Sequence, residues 1–192
     1  MSTIKTTNIT HGSNSGTANL VLASDGKVTV PTLKLACPGM IINVAQAVKT
    51  DTAEEEVADG ARSAVLFDTM YAAQSSSNKL LIQACISCGC DTVEIYPILT
   101  VGGAATLIGD AASNRARVST GQQVPNDGYI VNTTINYLHS SPSTSSTAYG
   151  VAFKHGNNAQ EKVTINKSWQ DPDATYSGRG TSTITIFEIQ GW

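Results

Sequence analysis

At 192 residues the chain can hold one compact domain of about 150 residues plus a short extension. Hydrophobic residues make up 41% but charged residues only 14%, well under the roughly 25% usual for globular proteins. Thr, Ser, Asn and Gly must therefore cover the surface, which favours strands and turns over helices. The net charge is -3 and the twelve Lys and Arg residues are scattered singly, so the electrostatic footprint of nucleic-acid binding is missing.

No apolar run approaches the roughly 20 residues of a membrane helix. Met1 to Thr10 is polar, without a basic region followed by an apolar stretch. Synthesis in a cytoplasm without a signal peptide is expected. Cys37, Cys85, Cys88 and Cys90 are then expected as thiols.

Residues 1–38 differ from the rest. Leu20, Leu22, Val28 and Val30 lie in two β-rich runs around Asp25-Gly26, a short-range hairpin signal. A lone hairpin buries no core, so this segment is expected to attach to sister chains or to a larger assembly. Pro38-Gly39 marks a break, and residues 39–192 form the main domain.

In that domain the polar turns separate strand candidates at residues 41–50, 62–71, 79–90, 93–101, 106–108, 116–120, 129–140, 148–155, 162–168 and 182–190. This is the spacing of an all-β sandwich or barrel. The run Glu54-Glu55-Glu56 reads as a solvated loop. Odd positions Tyr149, Val151 and Phe153, and Val131, Ile135 and Tyr137, show the period-2 alternation of half-buried strands.

The last strand breaks the alternation. Ile184, Ile186, Phe187 and Ile189 offer apolar side chains to both faces, and a second cover implies a partner subunit. These four residues are the expected interface of an oligomer.

Signals for chemistry are weak. Cys85, Cys88 and Cys90 have spacings that can ligate zinc, but on a strand Cys85 points away from Cys88, and buried structural thiols are expected. Neither a nucleophile elbow, a zinc-protease helix motif nor a phosphate-binding loop is present. A protein without enzymatic activity or cofactor is expected. Arg115 and Arg117 are candidate forked donors to a carboxylate or glycan, or side chains alternating along a strand edge. Asp171-Pro172-Asp173 has oxygens for calcium but reads as a plain turn. The Asn-x-Ser/Thr triplets at Asn8, Asn132 and Asn166 are expected by chance in so Thr-rich a chain.

Several phrases recur in a familiar order: Ala47-Val48-Lys49-Thr50-Asp51-Thr52, Ser77-Asn78-Lys79-Leu80-Leu81-Ile82, Ile108-Gly109-Asp110-Ala111-Ala112, Leu138-His139-Ser140-Ser141-Pro142 and Ser182-Thr183-Ile184-Thr185-Ile186-Phe187-Glu188-Ile189. Over residues 41–191 they resemble a head domain found in structural and tail-fibre-like proteins of marine and cyanobacterial phages. Thr7-Asn8-Ile9 followed by Asn19 to Pro31 resembles the short β repeat that precedes such heads.

The resemblance implies a jelly-roll head similar to the trimeric tumour-necrosis-factor type, with its C-terminal strand near the threefold axis. It implies a homotrimeric, non-enzymatic protein of the virion surface, a short tail fibre or appendage that contacts the host, with a surface glycan as a partner. Residues 1–38 would dock on other virion proteins. No shaft of repeats separates segment from head, which counts against a long tail fibre. Capsid decoration is the competing reading; a glycan-degrading head and a host-derived lectin or signalling-type trimer are the remaining classes.

Overall fold

The computed structural model describes residues 8–9, 20–22, 28–29, 38–91, 94–125, 128–156 and 159–191, and every regular element among them is a β-strand. The chain divides into two compact units, Met1–Cys37 and Pro38–Trp192.

In the first unit β1 (Asn8–Ile9), β2 (Leu20–Leu22) and β3 (Val28–Thr29) form an antiparallel three-stranded sheet in the order β1-β2-β3. Leu22 pairs with Val28 and Val21 with Thr29, so the two arms of the expected hairpin run side by side. Asp25, Gly26 and Val30 lie outside the described residues.

The second unit contains β4 (Ile41–Lys49), β5 (Ala53–Val57), β6 (Phe67–Tyr71), β7 (Lys79–Cys90), β8 (Glu94–Val101), β9 (Ala104–Ala105), β10 (Gln122–Gln123), β11 (Val131–Ser140), β12 (Thr147–His155), β13 (Glu161–Ile165) and β14 (Ser182–Ile189). They build two antiparallel sheets, consistent with a β-sandwich. One has the order β4-β14-β7-β13-β5 with β11 also on β7; the other has the order β10-β8-β12-β6 with β9 also on β8.

The twelve-residue β7 organises the larger sheet. Its first half bonds β14 and its last three residues bond β13, while β11 follows its other edge over residues 79–88. Its even residues Leu80, Ile82, Ala84, Ile86, Cys88 and Cys90 face the core with Ile184, Ile186, Val163 and Ile165. Ile95, Leu99, Tyr149, Val151 and Phe153 meet them from the other sheet. Burying one such side chain is worth about 1.5–3 kcal/mol.

Some elements depart from the expectations. Glu54, Glu55 and Glu56 are not a loop but the edge strand β5, paired with β13. Glu54 bonds Lys167 Nζ at 2.6 Å and Lys162 Nζ at 3.1 Å, and these hydrogen bonds, Lys167 first, hold its carboxyl below the usual range. The lysines make a carboxylate-rich strand compatible with the sheet, and its charges keep the edge from pairing further.

The strands expected at 106–108 and 116–120 are absent. The chain between β9 and β10 is irregular, with Leu107 and Ser113 at φ 54° and 51°, conformations that no strand contains. It still hangs on the edge of β8, where Thr106 N–H donates to Leu99 O at 2.8 Å and Ser119 Oγ accepts from Leu99 N–H at 2.9 Å. The expected strand at 62–71 is regular only from Phe67, although Ser63 and Leu66 N–H still donate to Phe153 and Val151 carbonyls.

Two positions carry much of the local geometry. Asn166 is buried at φ 62°. Its Nδ2 donates to the carbonyls of Lys49 and Asp51 at 2.9 and 2.8 Å, and its Oδ1 accepts from Ser182 Oγ at 2.7 Å. The side chain thus joins three separate segments, and this triplet is a structural feature. Gly150 lies between β8 and β6, where an added Cβ would sit 2.8 Å from Asp68 Cβ and 2.9 Å from Phe67 O. Gly150→Ala is expected to cost about 2 kcal/mol through overpacking, read as a lower urea midpoint; an unchanged midpoint would mean that β6 yields freely.

Candidate interaction surface

Along β14 exposure alternates strictly. Ser182, Ile184, Ile186 and Glu188 are buried, while Thr183, Thr185, Phe187 and Ile189 are half-buried on the outer face. This corrects the expected interface: Ile184 and Ile186 are both 0% exposed within a single chain, packed against the facing sheet. Only Phe187 and Ile189 of the four are turned outward. The second cover that the sequence seemed to demand is, for the two isoleucines, the sandwich itself.

Residues paired across a ladder project to the same side, so the register extends the outward set over four strands. Phe187 pairs with Val44 on one side and Leu81 on the other, and Leu81 pairs with Leu138. Val44, Phe187, Leu81 and Leu138 therefore form one continuous apolar row, with Val44 54% and Leu138 47% exposed. Ile41 lies opposite Ile189 at its margin.

The next row is Gln46, Thr185, Gln83 and Asn136, in which Gln46 Nε2 donates to Thr185 Oγ1 at 2.9 Å. The third is Val48, Thr183, Cys85 and Thr134. None of the side chains in these three rows is Asp, Glu, Lys, Arg or His. At about 4.8 Å between strands and about 3.3 Å per residue, the three rows cover roughly 400 Å². Only the first row is apolar throughout, and the whole face is about half of the roughly 800 Å² per partner of a stable interface.

Beneath this face the same strand carries a buried acid. Glu188, 0% exposed between outward Phe187 and Ile189, accepts hydrogen bonds from Tyr71 OH at 2.7 Å, Gln74 N–H at 2.7 Å and Asn78 Nδ2 at 2.5 Å. Asn43 Nδ2 donates to Tyr71 Oη at 2.9 Å, and Gly191 N–H donates to Asn78 Oδ1 at 3.0 Å. The network ties the end of β14 to β4, to the end of β6 and to the 72–78 turn, and so fixes which way Phe187 and Ile189 point.

Burial, and after it the hydrogen bond to and charge of Glu188, push the Tyr71 phenol up to about 12 from its ordinary 10. Between those values the folded chain holds a proton that the unfolded chain has released. The stabilisation is therefore complete below pH 10 and lost as pH rises toward 12. Urea titrations at about pH 8 and about pH 11.5 should show wild type losing roughly 2 kcal/mol more than Tyr71→Phe; equal losses would mean that Tyr71 is not the group responsible.

The remaining candidates are placed as follows. Cys88 and Cys90 are buried as expected, and burial raises the Cys88 thiol above its ordinary range. Cys85 is exposed in the third row of the outer face, opposite in direction to Cys88, which corrects the expectation that it is buried. Among the described residues no group of three or more His, Cys, Asp or Glu is arranged to hold a metal ion.

His139 stacks on Tyr137 with 5.7 Å between ring centroids, its Nδ1 lies 3.4 Å from Tyr149 Oη, and burial lowers its pKa. His155 Nε2 lies 2.9 Å from Val57 O. Both are built into the fold.

Arg115 and Arg117 are exposed on the irregular connection rather than along a strand edge. Arg117 Nε donates to Gly109 O at 2.7 Å and so braces its own loop.

The parity of β14 was the signal that could have located the outer row: Phe187 and Ile189 share it with Thr185, and Ile184 and Ile186 do not. No family model matches the chain, and no curated protein sequence matches it.

Proposed function

We propose that this chain is a non-enzymatic surface protein of a bacteriophage particle. In this reading it is a homotrimer whose second unit is a jelly-roll head and whose residues 1–38 dock on other virion proteins. The observation that carries the oligomer is the uncharged outer face built on Val44, Phe187, Leu81 and Leu138. A face without charge can meet copies of itself without like-charge repulsion, and its apolar row loses water on contact.

The ordered phrases over residues 41–191 that resemble phage heads support the virion setting and the threefold arrangement. Three heads around one axis suit a short appendage, because the second and third contacts with a host surface are effectively intramolecular.

Two measurements test this reading. Sedimentation equilibrium should return three times the chain mass; a monomer at micromolar concentration would remove the trimer. An antibody to the head should label purified particles at the tail. Even labelling over the shell would shift the assignment to capsid decoration, and absence from purified particles would end the virion reading. Host polysaccharide should keep its polymer size after incubation with the protein.

A further inference from the structure

The connection between β13 and β14, residues 166–181, is a compact loop whose ends meet, since Gly180 N–H donates to Asn166 O at 3.0 Å. Inside it Asp171 N–H donates to Ser168 Oγ at 3.1 Å, Ser168 and Ser177 hydroxyls lie 3.2 Å apart, and Ser177 N–H donates to Ala174 O at 3.0 Å. Asp171 is held at φ 40°. Closed loops of this kind are frequently functional.

The loop borders an open pocket of about 310 Å³ lined by Asp171, Pro172, Asp173, Ala174, Ser177 and Arg179, near the lower end of the roughly 300–1,000 Å³ of small-molecule sites.

The polar groups on its wall differ in what they have left to offer. Asp171 is committed: Arg179 Nη2 and Nε reach its two oxygens at 2.6 and 3.2 Å, and Lys167 Nζ lies 3.8 Å away. That fork holds the guanidinium in place while its other N–H donors remain unused among the described residues. Asp173 is exposed and its carboxylate has no partner among the described residues. Tyr176, in sequence between the lining residues Ala174 and Ser177, is 71% exposed.

Charge decides the ligand class. A divalent cation would meet Arg179 and only one uncommitted carboxylate, too few oxygens for a hard metal. An anion would meet two aspartates. A neutral molecule with adjacent donors and acceptors matches an unpaired carboxylate beside a fixed guanidinium.

We propose that this loop is a saccharide-binding site. Asp173 accepts from one ring hydroxyl, Arg179 donates to a neighbouring one, and the Tyr176 ring packs on the apolar C–H face of the sugar. The cavity has room for one or two rings. A contact so open is weak singly and gains from repetition on three heads. The site stands on the loop's own geometry, and only the choice of a host surface polymer as the source of the sugar rests on the reading above.

Saturation-transfer NMR on the full chain with glucose, galactose, mannose, rhamnose and N-acetylglucosamine tests it. At least one sugar should receive saturation, and Asp173→Ala and Tyr176→Ala should each weaken it about tenfold, with unchanged melting because both side chains are exposed. No transfer to any of the five, or transfer that both variants leave intact, overturns the proposal, as would calcium or phosphate binding abolished by the same substitutions. Sedimentation of the same samples separates the two readings. A trimer that binds no sugar defeats only the site, and a monomer that binds one defeats only the trimer.

Discussion

Glu188→Ala is expected to destabilise the sandwich by about 4 kcal/mol and lower its melting temperature by roughly 10 °C. The carboxylate is fully buried, and among the described residues the hydrogen bonds it receives come from neutral donors, Tyr71 OH, Gln74 N–H and Asn78 Nδ2. Removing the acceptor leaves two side-chain donors and one backbone donor without the partner they have in the structure. Each buried, unsatisfied group costs about 1–3 kcal/mol.

Glu188→Gln keeps one oxygen but turns an N–H₂ group toward groups that are themselves donors, so an intermediate loss is expected. Circular-dichroism melting orders the three proteins. Should the alanine variant melt within about 2 °C of wild type, less than about 1 kcal/mol on this scale, the network is not what holds the end of β14.

Phe187→Asp and Ile186→Asp, one residue apart, are expected to fail in different ways. Phe187 lies on the outer face in the row with Val44 and Leu81, so its aspartate variant should fold as a monomer with native circular dichroism. The new carboxylate keeps its water in the monomer and loses it only on association. Ile186 is 0% exposed in the core, and an aspartate there is an unpaired buried charge costing several kcal/mol, enough to prevent folding.

Sedimentation and near-ultraviolet circular dichroism on both variants give the answer. A Phe187→Asp protein that remains an oligomer would move the interface elsewhere on the molecule. Ile186→Asp folding normally would mean that the parity of β14 is reversed.

The native Cys85 thiol, in the third row of the same face, offers an unmodified control. It should react with a thiol reagent faster in the Phe187→Asp monomer than in wild type, since the assembled face excludes the reagent.

Much of the framework was legible in the residues. The opposite directions of Cys85 and Cys88 on β7 and the core-facing odd positions Tyr149, Val151 and Phe153 were readable, because side-chain direction on a strand has period 2. The strand Glu54-Glu55-Glu56 was not legible, since its lysine partners Lys162 and Lys167 come more than a hundred residues later. The 106–120 connection failed for a different reason. Its apolar residues resemble a strand locally, but positive φ at Leu107 and Ser113 breaks the extended backbone. The loop at Asp171 was visible as a turn, whereas the fork from Arg179 and the cavity it borders were not.

By itself the sequence determined an all-β chain, two outward-compatible parities on β14 and the absence of long apolar or basic runs. These follow from composition and from a two-residue repeat, both local quantities. Only the tertiary structure decided which parity of Ile184 to Ile189 is inside, because that depends on what lies across the sandwich. Tyr71, Gln74 and Asn78, all more than a hundred residues earlier, accept a buried Glu188 on the core side and so leave Phe187 and Ile189 to the outside. A charged residue with the parity of the core looks from sequence like an error in the pattern; it becomes part of the core only when distant donors satisfy it.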